Sequence, residues 1–249
     1  MEQFTIRIAG HVVAVTSKFP YARINCANYR CDDEPEFAVE LTPQDIAFER
    51  MTAEQEREIE GLPKREFADP ALEWTALQRK IAEKLFEYET LLFHGSVIAV
   101  DGEAYLFTAK SGTGKSTHTS LWREMLGERA VMVNDDKPFL KVLSNNILVC
   151  GSPWNGKHGL GNNIDVPLKA ICILERGENN HISRISANEA VLMLLQQSNR
   201  PQQPSLMLKY MDLVESIANK VAFYRMKCNM DIEAARISYE AMSGNIKEN

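Results

Sequence analysis

Ala109-Lys110-Ser111-Gly112-Thr113-Gly114-Lys115-Ser116-Thr117 decides how this chain is read. It follows Glu103 to Thr108, a run with strand character. Residues 117 to 126 then carry a helical pattern. A strand, a glycine-rich turn and a helix in that order form a nest for phosphate. Gly112 and Gly114 permit backbone angles that other residues resist, so successive N–H groups turn inward. The free amides that open the next helix add partial positive charge. The stretch satisfies G-x-x-x-x-G-K-[ST], the phosphate-loop pattern, except that Ala109 replaces the first glycine. A plain Gly/Ser turn would explain one or two glycines. It would not explain Gly-x-Gly-Lys-Ser at a strand-to-helix junction. Ser111, Gly112, Thr113, Gly114, Lys115, Ser116 and Thr117 are therefore the expected ATP-binding residues. Lys115 would reach the β- and γ-phosphates, Ser116 would hold Mg²⁺, and Thr117 would contact the α-phosphate.

Downstream, Ala130 to Val133 reads as a strand that ends in Asn134-Asp135-Asp136. A carboxylate at such a strand end is placed to hold Mg²⁺ directly or through water, and a second can act as base toward an acceptor hydroxyl. By itself Asn-Asp-Asp before Lys137-Pro138 reads as a solvated turn. With a phosphate loop upstream, Asp135 and Asp136 become candidates for metal ligand and base.

Upstream, Leu92 to Val100 and Glu103 to Thr108 flank Asp101-Gly102, a favoured hairpin turn. Asp69-Pro70 starts a helix in which Leu77, Ile81, Leu85, Tyr88 and Leu92 share one face. This helix is expected to pack on the sheet that follows. Phe4, Ile6 and Ile8, then Val13 and Val15, then Phe37, Val39 and Leu41 alternate as in strands. Thr52 with Gln55 suggests a capping box for a short helix. Ser186 with Glu189 suggests another, opening a helix to about Gln197. Two domains are expected: a β-rich N-terminal portion over residues 1–68 and a nucleotide-binding core with C-terminal helices over residues 69–249.

The 249 residues are 45% hydrophobic and 25% charged, an ordinary globular balance. A net charge of -6 disfavours a broad nucleic-acid surface. The five cysteines show no paired framework and read as cytosolic thiols; Cys26 and Cys31 lack the second pair that a zinc site needs. There is no secretory signal and no apolar stretch long enough to span a membrane, so a cytoplasmic location is expected.

His94-Gly95, the Ser111 to Ser116 loop, Asp135-Asp136, and Gly159-Leu160-Gly161 with Ile164-Asp165-Val166 occur in an order that resembles the HPr kinase/phosphorylase family. That family lies in the phosphoenolpyruvate-carboxykinase-like branch of P-loop proteins. The resemblance covers about residues 92 to 175. It implies an α/β fold with a P-loop core and a mixed β-sheet, to which the β-rich N-terminal portion is added. It further implies an ATP- and Mg²⁺-dependent kinase acting on a serine hydroxyl. In that family the aspartates serve as metal ligand and base, and the histidine of the His-Gly pair lies at the active site. Carried over, these roles fall on Asp135, Asp136 and His94; read alone, His94 after Leu91-Leu92-Phe93 reads as a core histidine, and the resemblance raises an active-site role to equal standing. The family often forms oligomers, so the resemblance admits a homo-oligomer.

The chain also departs from the family. Gly156 and His158 stand where an acidic residue and an arginine precede Gly-Leu-Gly. The change weakens the second metal contact and the phosphorylase activity, and HPr is not the expected acceptor. The whole chain looks closer to HPr-kinase-like proteins encoded near peptide-modification genes, some of which phosphorylate a serine of a precursor peptide. A protein or peptide acceptor follows by resemblance. The competing reading is a non-catalytic nucleotide-binding sensor or scaffold. Trp154 is open between stacking on a ligand and packing in a turn, and His118 and Thr119 read as structural.

Overall fold

The computed structural model describes residues 1–110 and 112–244. They fall into two compact units, one ending at Glu87 and one beginning at Tyr88.

In the first unit, β1 (Glu2–Ile8) and β2 (His11–Ser17) form an antiparallel hairpin, and β3 (Phe37–Glu40) pairs with β2 in parallel. The alternation seen in the sequence places Phe4, Ile6, Ile8, Val13, Val15 and Val39 in the interior. Helix α1 (Pro20–Asn25) follows β2, and α2 (Pro43–Ile59) follows β3. The capping box of α2 is Thr42 with Asp45, so the expected start at Thr52 is corrected: Thr52 and Gln55 lie inside the helix. An N-cap needs extended backbone before the first turn. Thr42 has it, and Pro43 fills the first helical position where no donor is lost.

Helix α3 (Asp69–Phe86) begins where Asp69-Pro70 predicts, but the Asp69 carboxylate accepts from Arg50 Nη2 at 2.6 Å instead of capping. Its destination also differs. The helix packs on α1, α2 and β3 and belongs to the first unit, so the boundary falls after Glu87 and not after residue 68. Leu77, Ile81 and Leu85 of its periodic apolar face are buried as expected, but the helix ends at Phe86, so Tyr88 falls in the turn beyond it and Leu92 in the next strand. Periodicity shows that a face is buried and not what buries it. The polar lock is Glu73, a buried carboxylate that accepts the backbone N–H groups of Lys18 at 2.7 Å and Phe19 at 3.1 Å. It thereby satisfies orphan donors where α1 begins.

The second unit is a nine-stranded mixed sheet with helices, an α/β arrangement. Its strands are β4 (Thr90–Leu92), β5 (Ser96–Val100), β6 (Glu103–Thr108), β7 (Ala130–Asn134), β8 (Phe139–Val142), β9 (Ile147–Cys150), β10 (Asp165–Arg176), β11 (His181–Arg184) and β12 (Ala222–Cys228). The predicted hairpin is β5–β6, with Val100 opposite Glu103 and positive φ at both Asp101 and Gly102. Its first strand starts only at Ser96, because Thr90–Leu92 pairs separately with β8.

The long strand β10 joins the two parts of the curled sheet. Asp165 to Pro167 pair antiparallel with β9, and the later residues run parallel to β6 and β12. On the other side of β6, β5 is antiparallel both to β6 and to β7. Strands β6, β7, β10 and β12 therefore point the same way, and their C-terminal ends open on one edge of the sheet. The helices of this unit are α4 (Lys115–Leu126), α5 (Ala187–Gln197), α6 (Met207–Lys220) and α7 (Ile232–Ser243). Helix α5 opens on the predicted Ser186–Glu189 capping box. Helices α4 and α7 pack together over Ile98, Val100, Tyr105 and Phe107 of the sheet. Trp122 of α4 is fully buried, and its Nε1–H donates to Ser238 Oγ of α7 at 2.8 Å. No helix among the described residues is long and apolar enough to cross a membrane.

Candidate functional site at the end of the sheet

Strand β6 ends at Thr108 and α4 begins at Lys115. Between them Gly112 has φ 75° and Gly114 has φ 119°, left-handed conformations that favour glycine. Nothing lies within 4 Å of where a side chain would stand on either, so backbone conformation, not crowding, demands glycine there. Ser111 lies outside the described residues. The loop closes on itself through the Thr113 N–H, which donates to the Lys110 carbonyl at 3.2 Å. Lys115 Nζ reaches the Ala109 carbonyl at 3.4 Å, a long contact for an ammonium. Burial lowers the Lys115 pKa; the Asp136 carboxylate opposes that shift and Lys137 adds to it. Lys115 and Asp136 thus feel each other's charge.

Asp135 and Asp136 follow β7 on the same sheet edge as the loop. Asn134, fully buried, shapes their turn. Its Oδ1 accepts the backbone N–H groups of Asp136 at 2.8 Å and Lys137 at 2.6 Å. Its Nδ2 donates to the Ser152 carbonyl at 3.0 Å and to Asn155 Oδ1 at 3.0 Å. This one amide ties the aspartate turn to the loop after β9.

The two carboxylates then diverge. Asp135 is buried; its Oδ1 accepts the Gly156 N–H at 2.6 Å, while Oδ2 is a buried acceptor with no partner. Burial raises its pKa, the Gly156 hydrogen bond works against the rise, and the Asp136 charge reinforces it. For Asp136, burial also acts upward, but the hydrogen bond from His94 and the charges of Lys137, His94 and Lys115 outweigh it, and the pKa falls below the carboxylate norm. His94 Nε2 stands 3.3 Å from Asp136 Oδ1. The His94 backbone is clamped as well: its N–H donates to the Gln197 carbonyl at 2.8 Å, and its carbonyl accepts Thr108 Oγ1–H at 2.9 Å. The Gly95 N–H donates to the Asp136 carbonyl at 3.0 Å. Its ring is partly exposed, so His94 is not a core histidine.

Gly156 is a close-approach glycine: a Cβ there would stand 3.2 Å from Asp135 Oδ2. Trp154 is buried and meets Phe139 edge-on at 6.3 Å, which places it in the core and not in a ligand stack. His118 and Thr119 are buried in α4. His118 Nε2 lies 2.9 Å from Ser238 Oγ, and Thr119 Oγ1 lies 3.1 Å from Ser96 Oγ. Cys26 is buried with its thiol pushed up to about 12 by desolvation.

A cleft of about 390 Å³ opens beside the loop, lined by Thr108, Lys110, Thr113, Leu174, Arg176 and Gln197 among others. Sequence reading missed Asn134, Arg176 and Gln197. For Asn134 the signal was present, since an Asx residue at a strand end satisfies the following amides by its own side chain. For the other two it was not, because their proximity depends on strand register.

Fold and site together define a mixed α/β protein in which a glycine-rich strand-to-helix loop shares a sheet edge with a paired-aspartate turn. The chain belongs to the SynChlorMet cassette protein ScmC family, whose family model matches residues 66–237. Among solved structures it is similar to the HPr(Ser) kinase/phosphatase from Coxiella burnetii, at 14% identity and a TM-score of 0.36, over 63% of this chain and 97% of that one. No curated protein matches it by sequence.

Proposed function

We propose that this chain is an ATP- and Mg²⁺-dependent phosphotransferase that moves the γ-phosphoryl group to a hydroxyl, a serine of a protein or peptide. The observation that carries the reading is the split between Asp135 and Asp136 on the loop's own sheet edge. One carboxylate has an orphaned buried oxygen; the other is held ionised between His94 and Lys115.

An unpartnered, buried carboxylate oxygen is costly unless something binds it. A hard cation with oxygen ligands suits it, so Asp135 with the Ser116 hydroxyl would hold Mg²⁺. The metal, when bound, would offset negative charge on the phosphates. The open amides of the loop and the start of α4 would orient the triphosphate. Lys115 would leave the Ala109 carbonyl for phosphate oxygens, exchanging a weak contact for a charge-assisted one. Asp136 would accept the proton of the attacking hydroxyl; its low pKa keeps it ionised at neutral pH. His94, bonded to Asp136 and clamped through its backbone, would orient that carboxylate.

The test is transfer of label from γ-labelled ATP to serine-containing peptides. Wild type is expected to label an acceptor. Asp136→Asn should cut turnover by about 10²-fold or more while leaving ATP affinity near wild type. Turnover near wild type in both Asp136→Asn and Asp135→Asn would sink this mechanism.

A second reading has one observation behind it. Backbone, not an acidic side chain, faces Asp135 at Gly156, so only one carboxylate is offered to a metal there. A nucleotide-binding sensor that transfers nothing would tolerate that. It predicts saturable ATP binding with no acceptor labelled.

A further inference from the structure

Strand β10 pairs in parallel with β6 as far as Ile173 opposite Thr108. There β6 leaves the sheet to become the loop, while β10 runs on to Arg176. The register of the sheet therefore delivers Arg176 alongside the loop. Its Nη2 donates to the Gly112 carbonyl at 2.6 Å. A guanidinium carries five N–H donors, and this contact engages one face of the fork.

The charge of Arg176 is not neutralised. Among the described residues it forms no salt bridge, while its neighbour Glu175 lies 3.5 Å from Arg225 Nε. Lys110, on the same cleft, forms none either. Glu175 lines the same cleft but pairs with Arg225, so among the described residues the cleft beside the loop carries two cations without a salt bridge, in a chain of net charge -6. Such a wall suits an anion that is absent from the protein itself.

We propose that Arg176 is a phosphate-contacting residue of this site, gripping the terminal phosphate of the bound nucleotide from the β10 side while Lys115 approaches from α4. The inference rests on the proposed nucleotide site and adds a residue to it. The occupant is the nucleotide and not an anionic group of the acceptor, because the guanidinium already sits on the loop backbone that would wrap the phosphates. On binding, it exchanges the Gly112 carbonyl, a neutral acceptor, for phosphate oxygens, to which planar guanidinium donates in pairs.

The experiment is calorimetric titration of the full chain with ATP and with ADP, each with Mg²⁺, for wild type, Arg176→Ala and Arg176→Lys. Arg176→Ala is expected to weaken ATP about tenfold and to leave ADP within about twofold, so the preference for ATP collapses. Arg176→Lys should recover part of it, since charge returns without the fork. Thermal melts confirm that each variant is folded. Equal loss for ATP and ADP would make Arg176 a strap on Gly112 only, and unchanged affinity for both would leave it no role; either overturns the proposal. Failure of wild type to bind either nucleotide would instead remove the reading on which the proposal stands.

Discussion

The two ends of a short stretch of α4 show how one physical effect leads to opposite outcomes. Lys115 opens the helix and His118 lies a single turn later, and burial lowers the pKa of both. At Lys115 that pressure is opposed by Asp136, and the ammonium contacts one carbonyl at 3.4 Å. At His118 nothing opposes it, and the pKa falls to about 4. Ser238 Oγ–H is taken up by the Ala234 and Ala235 carbonyls, so Trp122 and His118 donate to its oxygen, and Nδ1 of His118 is left as an unprotonated acceptor without a partner. A perturbed group marks a site when a countercharge accompanies burial; burial with no charge to oppose it marks a core.

The core side of this comparison should break first. Trp122→Ala removes a fully buried indole packed against Tyr105, Phe107 and Tyr239 and takes one of the two donors from Ser238 Oγ. It should cost about 3–5 kcal/mol in denaturant unfolding. A loss under about 1 kcal/mol would show that α4 and α7 do not share a tight core.

Asn134→Ala acts at the border of the two regions. It leaves the Asp136 and Lys137 amides and the Ser152 carbonyl without their partner, so about 1–3 kcal/mol of stability should go. In addition, turnover should fall more than ATP affinity, because the turn that aims Asp136 loosens. Equal loss in both would mean that Asn134 merely holds the fold.

The pH dependence of stability sharpens the contrast further. His118 has a folded pKa near 4, below the ordinary value of 6.5. Between these values the unfolded chain binds more protons, so stability is complete above about pH 6.5 and is lost as pH falls toward 4. The effect is on the order of 3 kcal/mol. In His118→Gln that segment of the unfolding curve should flatten; an unchanged curve would show that the acid sensitivity arises elsewhere.

Much of this was legible from residues alone, and what was not has a physical reason. The loop could be read because its glycines, lysine and hydroxyls are contiguous. The β5–β6 turn and the Ser186 cap could be read for the same reason: their determinants lie within four residues. Helix α3 was located but sent to the wrong unit, since the lock that places it joins Glu73 to Lys18 and Phe19, far apart in sequence. The α2 cap was missed because Asp45, shorter than the usual glutamate, closes the box. Arg176 became visible only through the pairing of β10 with β6. Local chemistry is written locally; which charge faces which loop is written in strand register.

The central claim is that the glycine-rich loop binds nucleotide phosphates through Lys115. Calorimetry of ATP binding, with and without Mg²⁺, for wild type and Lys115→Ala, tests it most directly. Wild type is expected to bind in a Mg²⁺-dependent manner and Lys115→Ala at least about tenfold more weakly. If neither protein binds ATP, or both bind it alike, the loop is not a phosphate site and the account is contradicted.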